Sequence, residues 1–200
     1  MTIVEDRPAA GFAAARRAMI DSQLRTSGVN AEWVLRRMDH VPREDFVPAS
    51  ARGFAYIDRA IALGDGRFLA APTVHGMMLQ EARPTRADNA LVVDGGSGYL
   101  VELLRPLVGS LEAVSPAEAL AGRRRGNFSL LLVDGAVEQL PPALTRRLAE
   151  GARVLTGWLR DGVTCLAYGR NTGGDVALLA LGEMGIPALP EFARPKGWSF

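Results

Sequence analysis

The pattern of apolar positions divides the chain near Pro72. Before it, Ala13, Ala14, Ala15, Ala18, Met19 and Leu24 are good helix formers and predict a helix opening at about Arg7. Ser27-Gly28 breaks it. Asn30 is placed to cap a second helix, in which Trp33, Val34 and Met38 share a face. Together these predict a helical cap from about Arg7 to Phe46. Two prolines within Val41–Pro48 predict an ordered, non-helical connector. Small apolar residues around Gly64-Asp65-Gly66 predict a short hairpin or loop between Ala55 and Pro72.

Beyond Pro72, Val74, Met77, Met78 and Leu79 fit a helix that stops before Pro84. Ala90–Val93 is a short unbroken apolar run, as a strand buried on both faces requires. It leads directly into Asp94-Gly95-Gly96-Ser97-Gly98, and Tyr99–Leu107 reads as a helix. Leu111–Val114 and Phe128–Val133 predict the next two strands, Leu144–Glu150 a helix, and Ala152–Leu159 a further strand. Val163–Tyr168 and Val176–Leu181 read as a closing pair around a Gly-rich turn. Strands alternating with helices predict an α/β fold with a mostly parallel sheet and an antiparallel pair at its C-terminal end. No internal repeat is visible.

Composition narrows the function classes. The chain has 200 residues and is 48% hydrophobic, an ordinary globular value. A net charge of +1 supplies no bulk field toward nucleic acid or an anionic membrane. Arg provides nearly all the positive charge, Lys196 being the one lysine, which we read as a genome-composition effect. One cysteine, Cys165, cannot form an intrachain disulfide, and its apolar setting predicts a buried structural thiol. No signal-type run or membrane-length apolar window is present, so a cytoplasmic protein is expected. His40 and His75 lack ligand spacing and read as ordinary surface or helix histidines, with no metal expected.

The chemistry concentrates at the Gly-rich turn. Glycines between a buried strand and a helix let backbone approach a ligand, and the helix N-terminus favours negative charge. Alone, Gly96-Ser97-Gly98 lacks the third glycine of the dinucleotide fingerprint and is either a structural turn or a cofactor loop. In open α/β sheets ligands bind at the carboxyl edge, so Gly96 and Gly98 are expected there, at the end of the first parallel strand.

The surrounding blocks resemble the protein-L-isoaspartate O-methyltransferase family. They are Ala18–Leu24, then Val29 and Val34-Leu35, then Val41–Pro48, Ala55–Asp58 with Gly64-Asp65-Gly66, and Ala71-Pro72 with Met77. Gly96-Ser97-Gly98-Tyr99 follows, and then Gly135–Glu138, Leu140-Pro141, Leu144, Leu148 and Glu150-Gly151. The blocks keep the family's order over nearly the whole chain. The resemblance implies a Rossmann-like S-adenosylmethionine-dependent methyltransferase fold in a single domain over residues 1–200. Residues 1–72 would be the cap and substrate side, and 73–200 the core. It implies methyl transfer from S-adenosylmethionine to the carboxylate of an isoaspartyl residue in a damaged protein, which is the expected partner. Asp58 and Thr73 are the catalytic candidates. Asp94, Gly95, Gly96, Ser97, Gly98, Tyr99 and Ser115 are the cofactor candidates.

Four departures from the family pattern bear on activity. The family's loop reads acid-x-Gly-x-Gly-x-Gly, whereas here the loop either lacks two residues or puts Val92 at the acid and Asp94 at the first glycine. Asp94 would either oppose the cofactor's carboxylate or turn away to cap the following helix. Ser115 stands where the family has the acid that grips the ribose, a loss of about 1.5–3 kcal/mol, roughly ten- to hundredfold in affinity. Glu112 and Glu118 lie three residues to either side, and Glu112 should point to the opposite face of its strand. Residues 116–127 are too few for two crossovers, which implies that one edge strand is missing together with part of the adenine wall. The arginines at 123–125 within this stretch read as a solvated face. Ala70-Ala71 occupy the stretch where the family carries a serine, leaving Thr73 as the nearest hydroxyl. Two functions of different class follow: a methyltransferase, or a non-catalytic relative serving as a binding module. The departures carry the expectation that S-adenosylmethionine binds weakly or not at all.

Overall fold

The computed structural model describes residues 7–121 and 126–195. Helix α1 (Arg7–Met19) runs into a π-helical turn, Ile20–Leu24, and α2 spans Glu32–His40. The expected Asn30 cap is not made. Ala31 is the N-cap, and the backbone N–H groups of Asn30 and Ala31 both donate to Gln80 Oε1, at 2.9 and 3.0 Å. A side chain from a distant helix thus satisfies the amides that a local cap would have taken.

The connector expected to be non-helical contains a 3-10 turn at Arg43–Phe46, followed by another at Ala49–Phe54. Burial of Arg43 and Glu44 explains the first, since both side chains bond inward. Strands β1 (Ile61–Gly64) and β2 (Arg67–Leu69) form the expected hairpin. Helix α3 covers Pro72–Ala82, with proline at its first turn where a missing N–H costs nothing.

Strand β3 (Asn89–Val93), helix α4 (Tyr99–Leu104), β4 (Ser110–Val114), α5 (Pro116–Ala121) and β5 (Phe128–Val137) follow. The predicted helix over Tyr99–Leu107 becomes 3-10 at Arg105–Leu107, because Pro106 has no amide to donate back. The arginine run at 123–125 lies outside the described residues. Helix α6 is Pro142–Thr145 only, and Leu148–Glu150, expected as helix, already belongs to β6 (Leu148–Arg160). Leu148 pairs with Phe128, so the ladder with β5 overrides local helix preference. Strands β7 (Val163–Thr172) and β8 (Asp175–Glu183) close the sheet.

The six-stranded sheet has the order β4-β3-β5-β6-β7-β8. Pairings among β4, β3, β5 and β6 are parallel, and those of β7 and β8 are antiparallel. Among the described residues β4 is the outermost strand on its side, and the crossover from it to β5 carries α5 alone. That agrees with the skipped edge strand inferred from length.

The period of two along β3 and β5 divides the core. Ala90, Val92, Leu130 and Leu132 pack toward α3, α4 and the N-terminal cap. Leu91, Val93, Leu131 and Val133 pack toward α6 and Leu189-Phe192. Burial on both faces explains why β3 reads as an unbroken apolar run. Cys165 is buried and donates to Trp158 O at 3.4 Å, as its apolar setting predicted.

Candidate functional site

The Gly-rich turn leaves the carboxyl end of β3, which lies between β4 and β5. Asp94 resolves the first ambiguity in favour of the inward arrangement. Its Oδ1 accepts from Gly98 N at 2.9 Å, so its charge faces the turn's own amide. Burial pushes the Asp94 carboxyl up, against that hydrogen bond, and the nearby Asp134 adds to the rise. Ser97 Oγ accepts from Tyr99 N at 3.1 Å and caps the start of α4. Tyr99 is fully buried.

The glycines differ in what requires them. Gly98 has φ +72° and open space where a side chain would stand. A Cβ on Gly95 would fall 2.2 Å from Asp134 O, so the turn is docked directly on the end of β5. Gly96 has φ +111° and lies against the Arg67 side chain. Arg67 forms an ion pair with Glu191 and holds that carboxyl below its usual range. The hairpin and the C-terminal segment therefore meet beside the turn.

Asp58 and Thr73 are brought together. Asp58 Oδ1 accepts from Thr73 Oγ1 at 2.7 Å and from Thr73 N at 3.2 Å. Asp58 thus caps α3 with a carboxylate, which the helix dipole favours. Both residues line an open pocket of about 650 Å³ with Arg59, Met77, Leu166 and Gly182.

Ser115 sits at the carboxyl end of β4 but is exposed and locally engaged. Its N–H and Oγ donate to Glu118 Oε2 at 2.7 and 2.8 Å, and Glu118 N donates back to Ser115 Oγ at 3.3 Å. This reciprocal Ser-x-x-Glu box starts α5 and holds the Glu118 carboxyl below its usual range. Glu112 pairs instead with Arg147 at 2.5 Å. Glu118 therefore brings a carboxylate to the end of β4.

The buried polar centre was missed from sequence. His75 lies on α3 but is fully buried, unlike an ordinary surface histidine. Its Nε2 faces Asp134 Oδ1 at 2.9 Å and its Nδ1 faces Arg43 Nη1 at 3.4 Å. Arg43 is fully buried, donates from Nε to Ala55 O at 2.8 Å and from Nη2 to Ala70 O, and stacks over the Tyr99 ring at 5.0 Å. Burial pulls the Arg43 guanidinium below its ordinary value, though it stays charged. Asp134 ends the apolar run of β5, and an acid at that position was the signal available. Among the described residues no group of three His, Cys, Asp or Glu side chains could hold a metal, and no helix is long and apolar enough to cross a membrane.

Comparison with known proteins shows the family and the fold. Residues 14–122 match the family described as protein-L-isoaspartate(D-aspartate) O-methyltransferase. A Koribacter versatilis protein of that name is 33% identical over 170 residues, covering 72% of this chain and 77% of its own. The chain belongs to the protein-L-isoaspartate O-methyltransferase family. A Bradyrhizobium methyltransferase of the same name is 27% identical over 205 residues, covering 89% and 95%. A Plasmodium falciparum structure described under that name, solved with S-adenosyl-L-homocysteine, shares the fold. It has a TM-score of 0.68 at 16% identity, over 90% of this chain and 98% of its own. The methyltransferase match includes Asp58, Thr73 and the Gly-rich turn, while Leu166 and Gly182 of the pocket lie beyond it. It ends at residue 122, ahead of β5.

Proposed function

We propose that this chain is an S-adenosylmethionine-dependent protein-L-isoaspartate O-methyltransferase acting on damaged proteins in the cytoplasm. What carries the reading is that one continuous family match includes Asp58 and Thr73, on one wall of the pocket, and a Gly-rich turn at the carboxyl edge of a central parallel strand. Nothing in the comparisons favours the non-catalytic alternative.

The residues present fit the cofactor. The outer side of Gly98 is open, and Asp94 directs its charge inward instead of at an incoming carboxylate. Gly95, Gly96, Ser97 and Tyr99 complete the turn, and Ser115 and Glu118 stand at the end of β4. The bound cofactor would supply an electrophilic methyl group on a sulfonium. The acceptor carboxylate is already a nucleophile, so the protein's task is alignment and exclusion of water.

Residues 1–72 would then be the cap and substrate side, and 73–200 the core. Asp58 fixes the Thr73 hydroxyl and the start of α3, and Arg59 in the same pocket offers positive charge to an acceptor carboxylate. This reading sets aside the expectation of weak or absent cofactor binding. Calorimetric titration with S-adenosylmethionine tests it. Binding in the micromolar range supports the enzyme; no heat at millimolar cofactor restores the binding-module reading.

A further inference from the structure

A charged arginine, a histidine and a carboxylate share the interior between the cap and the sheet. Arg43 and His75 are 0% exposed and Asp134 4%. The polarity of the chain follows from elementary rules. A guanidinium only donates, so the His75 Nδ1 facing Arg43 must be the acceptor. The ring proton then sits on Nε2 and is donated to Asp134 Oδ1 at 2.9 Å. The three residues are neutral only as a unit: a positive guanidinium, an uncharged ring and a carboxylate. Removing the middle member leaves two buried charges without mutual contact, which is strongly unfavourable.

The chain also joins the two halves of the site. At one end Arg43 binds the carbonyls of Ala55 and Ala70. These flank the segment that carries Asp58 and the hairpin and leads into Thr73. His75 is two residues beyond Thr73 on the same helix. At the other end Asp134 supports the turn: its backbone oxygen abuts Gly95, and its Oδ2 lies 3.5 Å from Ser97 Oγ, the group that caps α4. A path of backbone and hydrogen bonds therefore runs from the Asp58–Thr73 pocket, through Ala70 O and the start of α3, by Arg43, His75 and Asp134 to the Gly-rich turn.

We infer that Arg43, His75 and Asp134 are positioning residues that set the distance and angle between the acceptor pocket and the cofactor turn. This rests on the methyltransferase reading. Methyl transfer needs acceptor, methyl and sulfur in line, and a misplacement of about 1 Å costs on the order of a hundredfold in rate. A buried, net-neutral chain with one permitted direction of hydrogen bonding is stiff enough to hold such a distance.

The test uses nitrogen-detected NMR of the full chain with its two histidines, of which His40 is exposed and His75 buried, so the signals separate. The free protein should show His75 with a proton on Nε2 and a bare Nδ1. S-adenosylhomocysteine and an isoaspartyl peptide, added separately, should each shift the His75 resonances, because each contacts one end of the path. In kinetics, His75→Phe should lower kcat about 10–100-fold while KM for peptide and Kd for S-adenosylhomocysteine change less than about threefold. His75→Gln, which can accept from Arg43 and donate to Asp134, should recover most of kcat. If His75→Phe does not fold, the two-ligand shift of His75 and the His75→Gln kinetics decide. A His75 signal that answers to one ligand or neither, both having bound by calorimetry, overturns the inference. So does a folded His75→Phe that is only less heat-stable and keeps its kcat. Calorimetric silence toward both ligands in the unmodified chain overturns the methyltransferase reading itself, and the positioning role with it.

Discussion

Gly95→Ala is the sharpest perturbation of the turn. Gly95 needs space and not a special backbone angle, since its φ is not among the positive ones. The new methyl would lie 2.2 Å from Asp134 O and 3.4 Å from Asp134 C. An ordinary carbon–oxygen approach is about 3.3 Å or more, so the turn or the end of β5 must move by roughly 1 Å. Neither contact atom is a flexible side chain. Overpacking of this kind costs about 1–3 kcal/mol. For a chain of this size that is about 2–4 °C in Tm per kcal/mol. The same displacement moves the floor of the proposed cofactor site, so affinity for S-adenosylhomocysteine should fall about tenfold or more. Gly98→Ala is the control: nothing stands within 4 Å of the new methyl, and only φ +72° opposes it, at about 1–2 kcal/mol. Differential scanning calorimetry and titration of both variants decide. Equal melting and equal affinity of Gly95→Ala and the unmodified chain would refute the docking of the turn on Asp134.

Other perturbations separate stability from chemistry. Burial alone would raise the Asp88 carboxyl, but hydrogen bonds from Arg153, Thr85 and Ser129 outweigh it and hold the group below its ordinary value. Its contribution is therefore complete above the ordinary carboxylate range and lost as pH falls through the lowered value; Asp88→Asn should flatten the acid limb of urea midpoint against pH. Ser115→Ala removes the hydroxyl of the box at α5 and should cost about 1 kcal/mol in urea unfolding. Thr73→Val removes the hydroxyl from Asp58, leaving the carboxylate only the backbone N–H of residue 73, and should lower methyl transfer roughly tenfold or more, with a loss of about 1 kcal/mol in stability. Leu103→Ala empties a fully buried site on α4 and should cost about 2–5 kcal/mol.

Much of the fold was legible because it is written in local periods. Ala90–Val93 and Leu130–Val133 are apolar on both faces, as a central parallel strand requires. That no strand lies beyond β4 among the described residues was countable from the length between Ser115 and Phe128. Boundaries failed where distant groups decide them: Gln80 replaces an Asn30 cap, and pairing with Phe128 draws Leu148 into β6. At the site, the turn and the Asp58–Thr73 pair were found through motif and resemblance. Arg43, His75 and Asp134 were not, since they lie on three separate elements, and contact between Arg43 and Asp134 runs through a histidine 32 residues from one and 59 from the other. The Ser115–Glu118 box was readable as Ser-x-x-Glu, but attention to the ribose position hid its plainer role as a helix cap.

The measurement that bears most directly on the central claim is transfer of labelled methyl from S-adenosylmethionine to matched peptides that differ only in carrying isoaspartate or aspartate. The account predicts that the isoaspartyl peptide gains a base-labile methyl ester, releasing labelled methanol on alkaline treatment, and that the aspartyl peptide gains little. Labelling of neither peptide by folded protein at saturating cofactor, or equal labelling of both, would contradict it.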